Sequence, residues 1–264
     1  MEKPRIKVLL KPLLFILIAF VFLTISLGYI LGVITSSDYF TVKDITKRGD
    51  FNINLSYLIG KNIFSLNLPY ESAHIEKSCS DCLRVKIARV MPNRLFVDFI
   101  RRKPVALVKL SRYFAVDLNG VLFNPSESYE DLNLPLITGL DKRIPSVTLG
   151  KAYKIKELNL ALSIIKEAGR FMNLRDYPIS KIEVGPREDI ILFIIIDFVK
   201  GFNYGLQIPD SQKMLEVRVS QGNIIEKIAV MSGLINQEKH QLFNIKYIDL
   251  RFKEPVIKFK DAIK

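Results

Sequence analysis

Hydrophobic and polar positions divide the chain into one long apolar segment near the N-terminus and many short alternating segments after it. The apolar segment runs from Leu13 to Ile34 without a charged residue. As a helix, its roughly 22 residues would be about 33 Å long, which is enough to cross the hydrocarbon core of a bilayer. The pattern therefore predicts one transmembrane helix at residues 13–34, preceded by a tail at residues 1–12.

The charges around this segment predict its orientation. Basic residues precede it at Lys3, Arg5, Lys7 and Lys11. By the positive-inside rule, the tail stays in the cytoplasm and everything after about residue 38 lies outside it. A cleaved signal peptide is the alternative, but its apolar region is usually about 7–15 residues long and ends at a small-x-small site. The exit Ile34–Asp38 has no Ala-x-Ala pattern, so an uncleaved anchor is favoured.

The next seventy residues have the pattern of a small mixed module. Leu83–Val90 alternates apolar and polar positions, as a half-buried strand does, and Pro69 suits the first turn of a helix. The predicted elements are, in order, a strand Phe40–Thr46, a short helix Leu55–Ile59, a helix Tyr70–Ser78, and strands Leu83–Val90 and Leu95–Ile100. This β-α-α-β-β order predicts a small sheet at residues 38–107, covered on one face by two helices.

Residues 108–256 have mostly the pattern of strands. The apolar run Ile190–Ile196 is too short to cross a membrane and is predicted to be a buried strand. The other predicted elements are an amphipathic helix Ile155–Ala168, a strand Met214–Val219, a helix Ile224–Leu234 capped by Asn223, and a terminal strand Tyr247–Phe252. The predicted fold class is α+β, with a mainly antiparallel second domain and a basic tail at residues 257–264.

Composition restricts the class of function. Hydrophobic residues make up 49% of the chain and charged residues 25%, which is typical of globular domains. The formal net charge is +12, but the basic residues are scattered, and the predicted topology keeps them away from cytoplasmic nucleic acid. A basic balance also suits work beside anionic lipids or acidic polymers.

Cys79 and Cys82 form a C-x-x-C pair. A redox motif would need the first cysteine at the start of a helix, whereas here the pair follows a predicted helix and precedes a strand. A local disulfide and two free thiols both remain open, with the disulfide suited to an oxidising compartment. No zinc site is expected, because neither His74 nor His240 lies at ligand spacing.

We find no catalytic motif. The chain lacks G-x-S-x-G, H-E-x-x-H and a P-loop. Ser163–Lys166 is an S-x-x-K, but no K-T-G strand accompanies it, and we expect Ser163 on a solvated helix face with Asn159 and Glu167. Arg101–Lys103 is a candidate contact for acidic lipid or cell wall, but a solvated strand end is the favoured interpretation. We therefore expect no catalytic residue, cofactor, metal or small-molecule substrate.

Six motifs in order after the anchor resemble the bacterial cell division family FtsQ/DivIB. They cover the opening strand and turn, the "G-x-N" turn, the "R-x-x-P-x-x-L" hairpin, an "E-R-x-P-x-A" in which Arg101 replaces the acidic residue, a "V-D-x-x-G-x-x-F" hairpin and an "L-P-x-I-x-G". Their positions are Phe40–Gly49, Gly60–Leu66, Arg89–Leu95, Arg101–Ala106, Ala115–Phe123 and Leu134–Gly139. Val217–Val219 with Lys227 and the terminal Tyr247–Phe252 are also similar to family patterns.

The resemblance implies a POTRA domain at residues 38–107, an FtsQ-type β domain at residues 108–256, and a non-enzymatic division scaffold in the bacterial cytoplasmic membrane. It implies that the C-terminal strand edge recruits the bitopic proteins FtsB and FtsL, or DivIC in some lineages, with septal peptidoglycan synthase components as further partners. The residues carried over are Tyr247, Arg251 and Phe252, followed by Glu254 and Val256. Tyr247 and Phe252 could instead be ordinary core residues.

A POTRA-bearing, chaperone-like factor for envelope proteins is the alternative function. That class usually repeats the module or ends in a transmembrane barrel. Neither a second β-α-α-β-β unit nor a series of amphipathic strands of about ten residues is evident in the sequence.

Overall fold

A computed structural model provides the fold, and it describes residues 6–124, 132–185, 189–196 and 213–260. The predicted tails at residues 1–12 and 257–264 therefore lie partly outside the described residues, including Lys3, Arg5 and Lys264. The chain divides into two compact units. The first consists of Met1–Cys79 with Leu83–Arg101, and the second of Ser80–Cys82 with Arg102–Lys264.

The first unit begins with helix α1, Ile6–Ser36. Within it, Pro12–Ile34 is long and apolar enough to cross a membrane, with a mean hydropathy of 2.7 and no part buried against protein. Large apolar side chains exposed all round a helix are costly in water and favourable in lipid. Over the described residues this is the one candidate membrane span, and it confirms the predicted N-terminal apolar helix.

After α1, the first unit folds into a three-stranded sheet with one α-helix. The elements are strand β1 at Asp44–Arg48, helix α2 at Leu68–Ser78, strand β2 at Cys82–Val90 and strand β3 at Arg94–Arg101. The strand order is β1-β3-β2, with β1 parallel to β3. Asn67 caps α2 by accepting a hydrogen bond from the Tyr70 N–H at 3.2 Å, which fixes where the helix starts.

Two local predictions for this unit are wrong in detail. The predicted helix Leu55–Ile59 is only a single 3-10 turn, Ser56–Leu58, because a segment this short cannot offset the cost of nucleating an α-helix. The predicted strand Phe40–Thr46 starts four residues late. Phe40 ends a 3-10 turn capped by Ser37, and Thr41 forms only an isolated bridge with Asn62.

The second unit is built on a nine-stranded sheet. Its strands are β4 Ala106–Lys109, β5 Tyr113–Val116, β6 Leu122–Phe123, β7 Leu136–Thr138, β8 Ile179–Val184, β9 Ile190–Ile195, β10 Met214–Val219, β11 Ile245–Asp249 and β12 Val256–Phe259. They lie in the order β12-β11-β10-β9-β8-β7-β4-β5-β6. Five neighbouring pairs are antiparallel, and the pairs β4–β7, β7–β8 and β10–β11 are parallel.

Two helices bury the main core of this unit. They are α3 at Lys156–Ala168 and α4 at Ile224–Gln237. Leu158 and Ile164 of α3 and Met231 of α4 join the inward side chains of the sheet in one apolar cluster. The α+β fold class is confirmed.

Two charged side chains that were predicted to be solvated form ion pairs instead. Glu167 is buried rather than solvated, because its carboxylate accepts a hydrogen bond from Arg170 at 2.6 Å. Arg102 is not a solvated strand end, because its guanidinium pairs with the buried Asp117 at 2.7 Å. The other Asp117 oxygen accepts hydrogen bonds from the backbone of Asn119 and Val121, so this ion pair holds the turn of the β5–β6 hairpin.

Gly139 provides a test of the packing between β7 and β8. Its φ is +86°, and a Cβ built there would overlap the carbonyl oxygen of Val184. We predict that Gly139→Ala lowers the free energy of unfolding of the second unit by about 3–5 kcal/mol, since both backbone strain and the clash must be relieved. Chemical denaturation followed by circular dichroism would measure this.

Gly222→Ala is the matched control. Gly222 also has a positive φ, of +133°, but only the flexible end of Lys227 lies near its Cβ position. The control should cost roughly 1–3 kcal/mol from backbone strain alone. Equal losses in the two variants would contradict the steric part of this prediction.

Candidate functional site

The sheet of the second unit ends at strand β12, which pairs on one side with β11. The Lys260 N–H donates inward to the Asn244 carbonyl at 2.7 Å. Peptide groups alternate in direction along a strand, so those of Ile257 and Phe259 point outward. No described residue pairs with this outer side of β12. It therefore offers backbone donors and acceptors to another strand.

The position of this edge differs from the prediction. The segment predicted as the terminal strand, Tyr247–Phe252, is divided between β11 and a turn, and β11 lies inside the sheet with β10 on its other side. The true edge includes residues 257–259, which were predicted to belong to a basic tail. Val256 is the one predicted contact residue that lies on the edge strand itself.

Tyr247 and Arg251 mainly shape the structure behind the edge. Tyr247 is half-buried in β11, opposite Glu216, and the Arg218 guanidinium lies 4.1 Å from the centroid of its ring. Arg218 also donates to Glu216 at 2.7 Å. The cation–π contact between Arg218 and Tyr247 restrains the side chains on one face of the sheet, across β10 and β11.

A buried carboxylate organises the turn between β11 and β12. Asp249 is only 4% exposed and accepts hydrogen bonds from the Arg251 backbone N–H at 3.0 Å and from its guanidinium at 2.7 Å. Arg251 also lies 3.6 Å from Asp189. The hydrogen bonds from Arg251 hold the pKa of the Asp249 carboxyl below its usual value, against the opposing effect of burial.

Apolar side chains surround the free edge. Phe252 is 62% exposed, and Val256 and Phe259 are 46% and 44% exposed. Glu254 is also exposed, in the turn. The interpretation of Phe252 as a core residue is therefore wrong. Ile257 and Phe259 of this edge were not among the predicted contact residues, although the run Val256–Phe259 after Pro255 carries a short strand signal.

A cavity of about 190 Å³ adjoins the same turn, lined by Leu250, Phe252, Lys253 and Pro255 and by residues at the start of α4. Lys227 on its wall donates to the Ser220 carbonyl at 3.0 Å, the Ser220 hydroxyl at 2.9 Å and the Gln221 carbonyl at 3.1 Å. Burial lowers the pKa of this lysine. The hydrogen bonds of Lys227 hold the loop before α4 in place.

Residues considered for chemistry lie elsewhere. Cys79 and Cys82 are buried and disulfide-bonded, so neither offers a thiolate. The Ser163 hydroxyl is exposed on α3 and donates to the Asn159 carbonyl at 2.8 Å. His74 is exposed and stacks on Tyr70.

The Asp249 carboxylate should make stability depend on pH. We predict that Asp249→Asn lowers the free energy of unfolding by about 2 kcal/mol near pH 7, because charged hydrogen bonds to Arg251 are lost. The pKa is depressed in the folded state, so this contribution is present above the usual value of 3.8 and is lost as pH falls through the folded pKa. The difference between wild type and variant should shrink when denaturation is repeated near pH 3.

Glu216→Gln is the control for that experiment, because Glu216 and Arg218 form a more exposed pair and should contribute at most about 1 kcal/mol. A difference for Asp249→Asn that stays constant with pH would contradict the assigned role of its charge.

Comparison with known proteins places these features in a family. Residues 106–251, more than half of the chain, match the family model described as cell division protein FtsQ/DivIB, C-terminal. The chain is 25% identical over 252 residues to the cell division protein FtsQ of Syntrophotalea carbinolica, covering 90% of this chain and 82% of that protein.

Other relatives match over shorter regions. The chain is 23% identical over 175 residues to the cell division protein FtsQ of Geotalea daltonii, covering 66% of this chain and 57% of that protein. It is 25% identical over 174 residues to FtsQ of Geobacter sp. strain M21, again covering 57% of the relative. The chain thus spans little more than half the length of these two curated relatives. With its single apolar N-terminal helix and its matched second unit, the chain belongs to the FtsQ/DivIB family of cell division proteins.

Proposed function

We propose that this division protein is a non-enzymatic, single-pass scaffold that docks FtsB/FtsL-type or DivIC-type bitopic proteins by β-augmentation at strand β12. The observation that carries the proposal is the free outer edge of β12 at the end of the nine-stranded sheet. A partner segment adding a tenth strand would satisfy the outward peptide groups of Ile257 and Phe259.

The side chains around the edge support this assignment. Phe252, Val256 and Phe259 expose apolar surface beside unpaired backbone groups, and a strand laid along β12 would cover part of it. Tyr247 and Arg251 act in this proposal by holding β11 and the turn, while Glu254 lies exposed within reach of a partner. Septal peptidoglycan synthase components are further candidate partners on the same scaffold.

The proposed topology places both units outside the cytoplasm, with the N-terminus inside. A disulfide between Cys79 and Cys82 suits that oxidising compartment. In this proposal residues 38–107 form a POTRA-type domain, and the second domain extends from residue 108 through the end of β12. The Ser163 hydroxyl of the S-x-x-K motif donates to the Asn159 carbonyl of its own helix, and the proposal assigns it no catalytic role.

A single proline substitution tests the edge. In Ile257→Pro the outward N–H is lost, while the inward hydrogen bonds of β12 to β11 are kept, since proline is tolerated at an edge. We predict roughly a tenfold loss in recovery of FtsB/FtsL-type proteins when they are chemically crosslinked to the full chain in intact membranes before solubilisation and pull-down.

Ile257→Val is the matched control, because it keeps the N–H and the β-branched side chain. It should recover partners as the wild type does, and thermal unfolding should show that both variants are folded. Equal partner recovery by the proline and valine variants would eliminate β12 as the docking edge, as would full recovery after deletion of Tyr247–Lys264.

Localisation tests the division-site assignment independently. A fluorescent protein fused to the cytoplasmic N-terminus should give a ring at midcell in dividing cells. The Ile257→Pro fusion should show the same membrane insertion with a weaker ring, because the proposed partners retain the protein at the division site. A uniform envelope signal from the wild-type fusion would contradict a division-site role and favour the envelope-transport alternative.

A further inference from the structure

Three segments of the first unit meet at the C-terminal end of helix α1. The Asn62 side-chain amide donates to the Ile34 carbonyl of α1 at 3.1 Å. The Val42 N–H donates to the Lys61 carbonyl at 2.9 Å, and the Lys43 N–H donates to the Asn93 carbonyl at 2.9 Å. These hydrogen bonds hold the segments 38–43, 60–64 and 90–94 against the point where the apolar span ends.

Large apolar side chains are exposed on these same segments. Tyr39, Phe64, Val90 and Met91 all present surface to the surroundings. Phe40 links two of them, since its ring centroid lies 5.1 Å from those of Tyr39 and Phe64 in edge-to-face contacts. Soluble protein surfaces seldom cluster so many large apolar groups without a partner.

Exposed cations lie on the same three segments. They are Lys43, Lys61 and Arg94, and the exposed acidic residues Asp38 and Asp44 belong to or directly follow the first segment. The Lys61 ammonium lies 5.2 Å from the centroid of the Tyr57 ring. We call the whole set the basal surface, defined by Tyr39, Phe64, Val90 and Met91 together with Lys43, Lys61 and Arg94. Its combination of aromatic rings, a methionine and long basic side chains is typical of groups at the boundary between headgroups and acyl chains.

We propose that the basal surface rests on the outer leaflet of the bilayer, with its apolar side chains at the acyl boundary and its cations on lipid phosphates. The membrane is the occupant because the surface adjoins the end of α1: only four residues lie between Ile34 and Tyr39, and the Asn62 side chain donates directly to the Ile34 carbonyl at the end of the span. In this proposal the basal surface holds the first unit on the membrane in addition to helix α1.

Tryptophan fluorescence can test this, because the chain contains no tryptophan. Met91→Trp places a probe on the basal surface, and Leu83→Trp places one at the other end of β2. The two native side chains are exposed to similar extents, 51% and 48%, and the positions are roughly 25 Å apart along the strand. The full chain of each variant is reconstituted into phosphatidylcholine–phosphatidylglycerol vesicles containing lipids brominated near the glycerol end of the acyl chains.

We expect blue-shifted emission and at least threefold stronger bromine quenching for Met91→Trp than for Leu83→Trp. Equal, weak quenching at both positions would overturn the proposal. A blue shift in Met91→Trp without quenching would also overturn it, because a protein surface such as a second copy would then cover the probe.

A second variant tests whether the basal surface itself contacts the lipid or whether the α1 tether alone keeps the probe near the bilayer. Adding Tyr39→Ser and Phe64→Ser to Met91→Trp leaves α1 unchanged but removes the aromatic contacts, and we expect at least half of the quenching to be lost. Circular dichroism confirms folding. Unchanged quenching in this variant would show that the tether alone brings the probe close, and it would overturn seating by the basal surface.

A third variant tests the cations. Adding Lys43→Gln and Lys61→Gln to Met91→Trp should reduce the gain in quenching that phosphatidylglycerol gives over pure phosphatidylcholine. An undiminished gain would refute the lipid-phosphate contacts.

Discussion

The parallel pairing of β10 with β11 is the constraint on which the candidate docking site depends. Parallel neighbours require a crossover connection, and α4 supplies it. Because β9 already occupies one side of β10, the chain must return on the other side. The following hairpin can then add only outside β11, so the last described strand becomes the edge of the sheet. The fold thus leaves the outer edge of β12 without a partner strand among the described residues.

The parts of the fold that the sequence predicted well are those with a strong periodic signal. The strand at Met214–Val219 has the predicted bounds, and the apolar run beginning at Ile190 is a buried strand. The amphipathic helix ending at Ala168 starts within one residue of its prediction. In each case burial of one face or of both faces dictates the pattern of apolar and polar residues, so that pattern predicts the type and position of the helix or strand.

The site was less predictable because its determinants are contacts between distant residues. Asp249 and Arg251 are near neighbours, but the burial of that carboxylate depends on packing of the whole sheet. The stacking of Arg218 on Tyr247 joins two strands separated by helix α4. Val256–Phe259 spans only four residues and is followed by lysines, so alternation was too brief to distinguish an edge strand from a tail. Edge strands are commonly short and charged, which weakens the signal that would reveal them.

The small size of this edge explains why anchoring matters to the proposed docking. Two residues of β12 point their peptide groups outward, and four backbone hydrogen bonds of about 1 kcal/mol each would give roughly 4 kcal/mol. That corresponds to a dissociation constant near the millimolar range, which is too weak to retain a freely diffusing partner at micromolar concentration. Confinement of two bitopic proteins to one bilayer raises their effective concentration to about the millimolar range. A short edge then suffices, provided that α1 keeps the scaffold in the membrane its partners share.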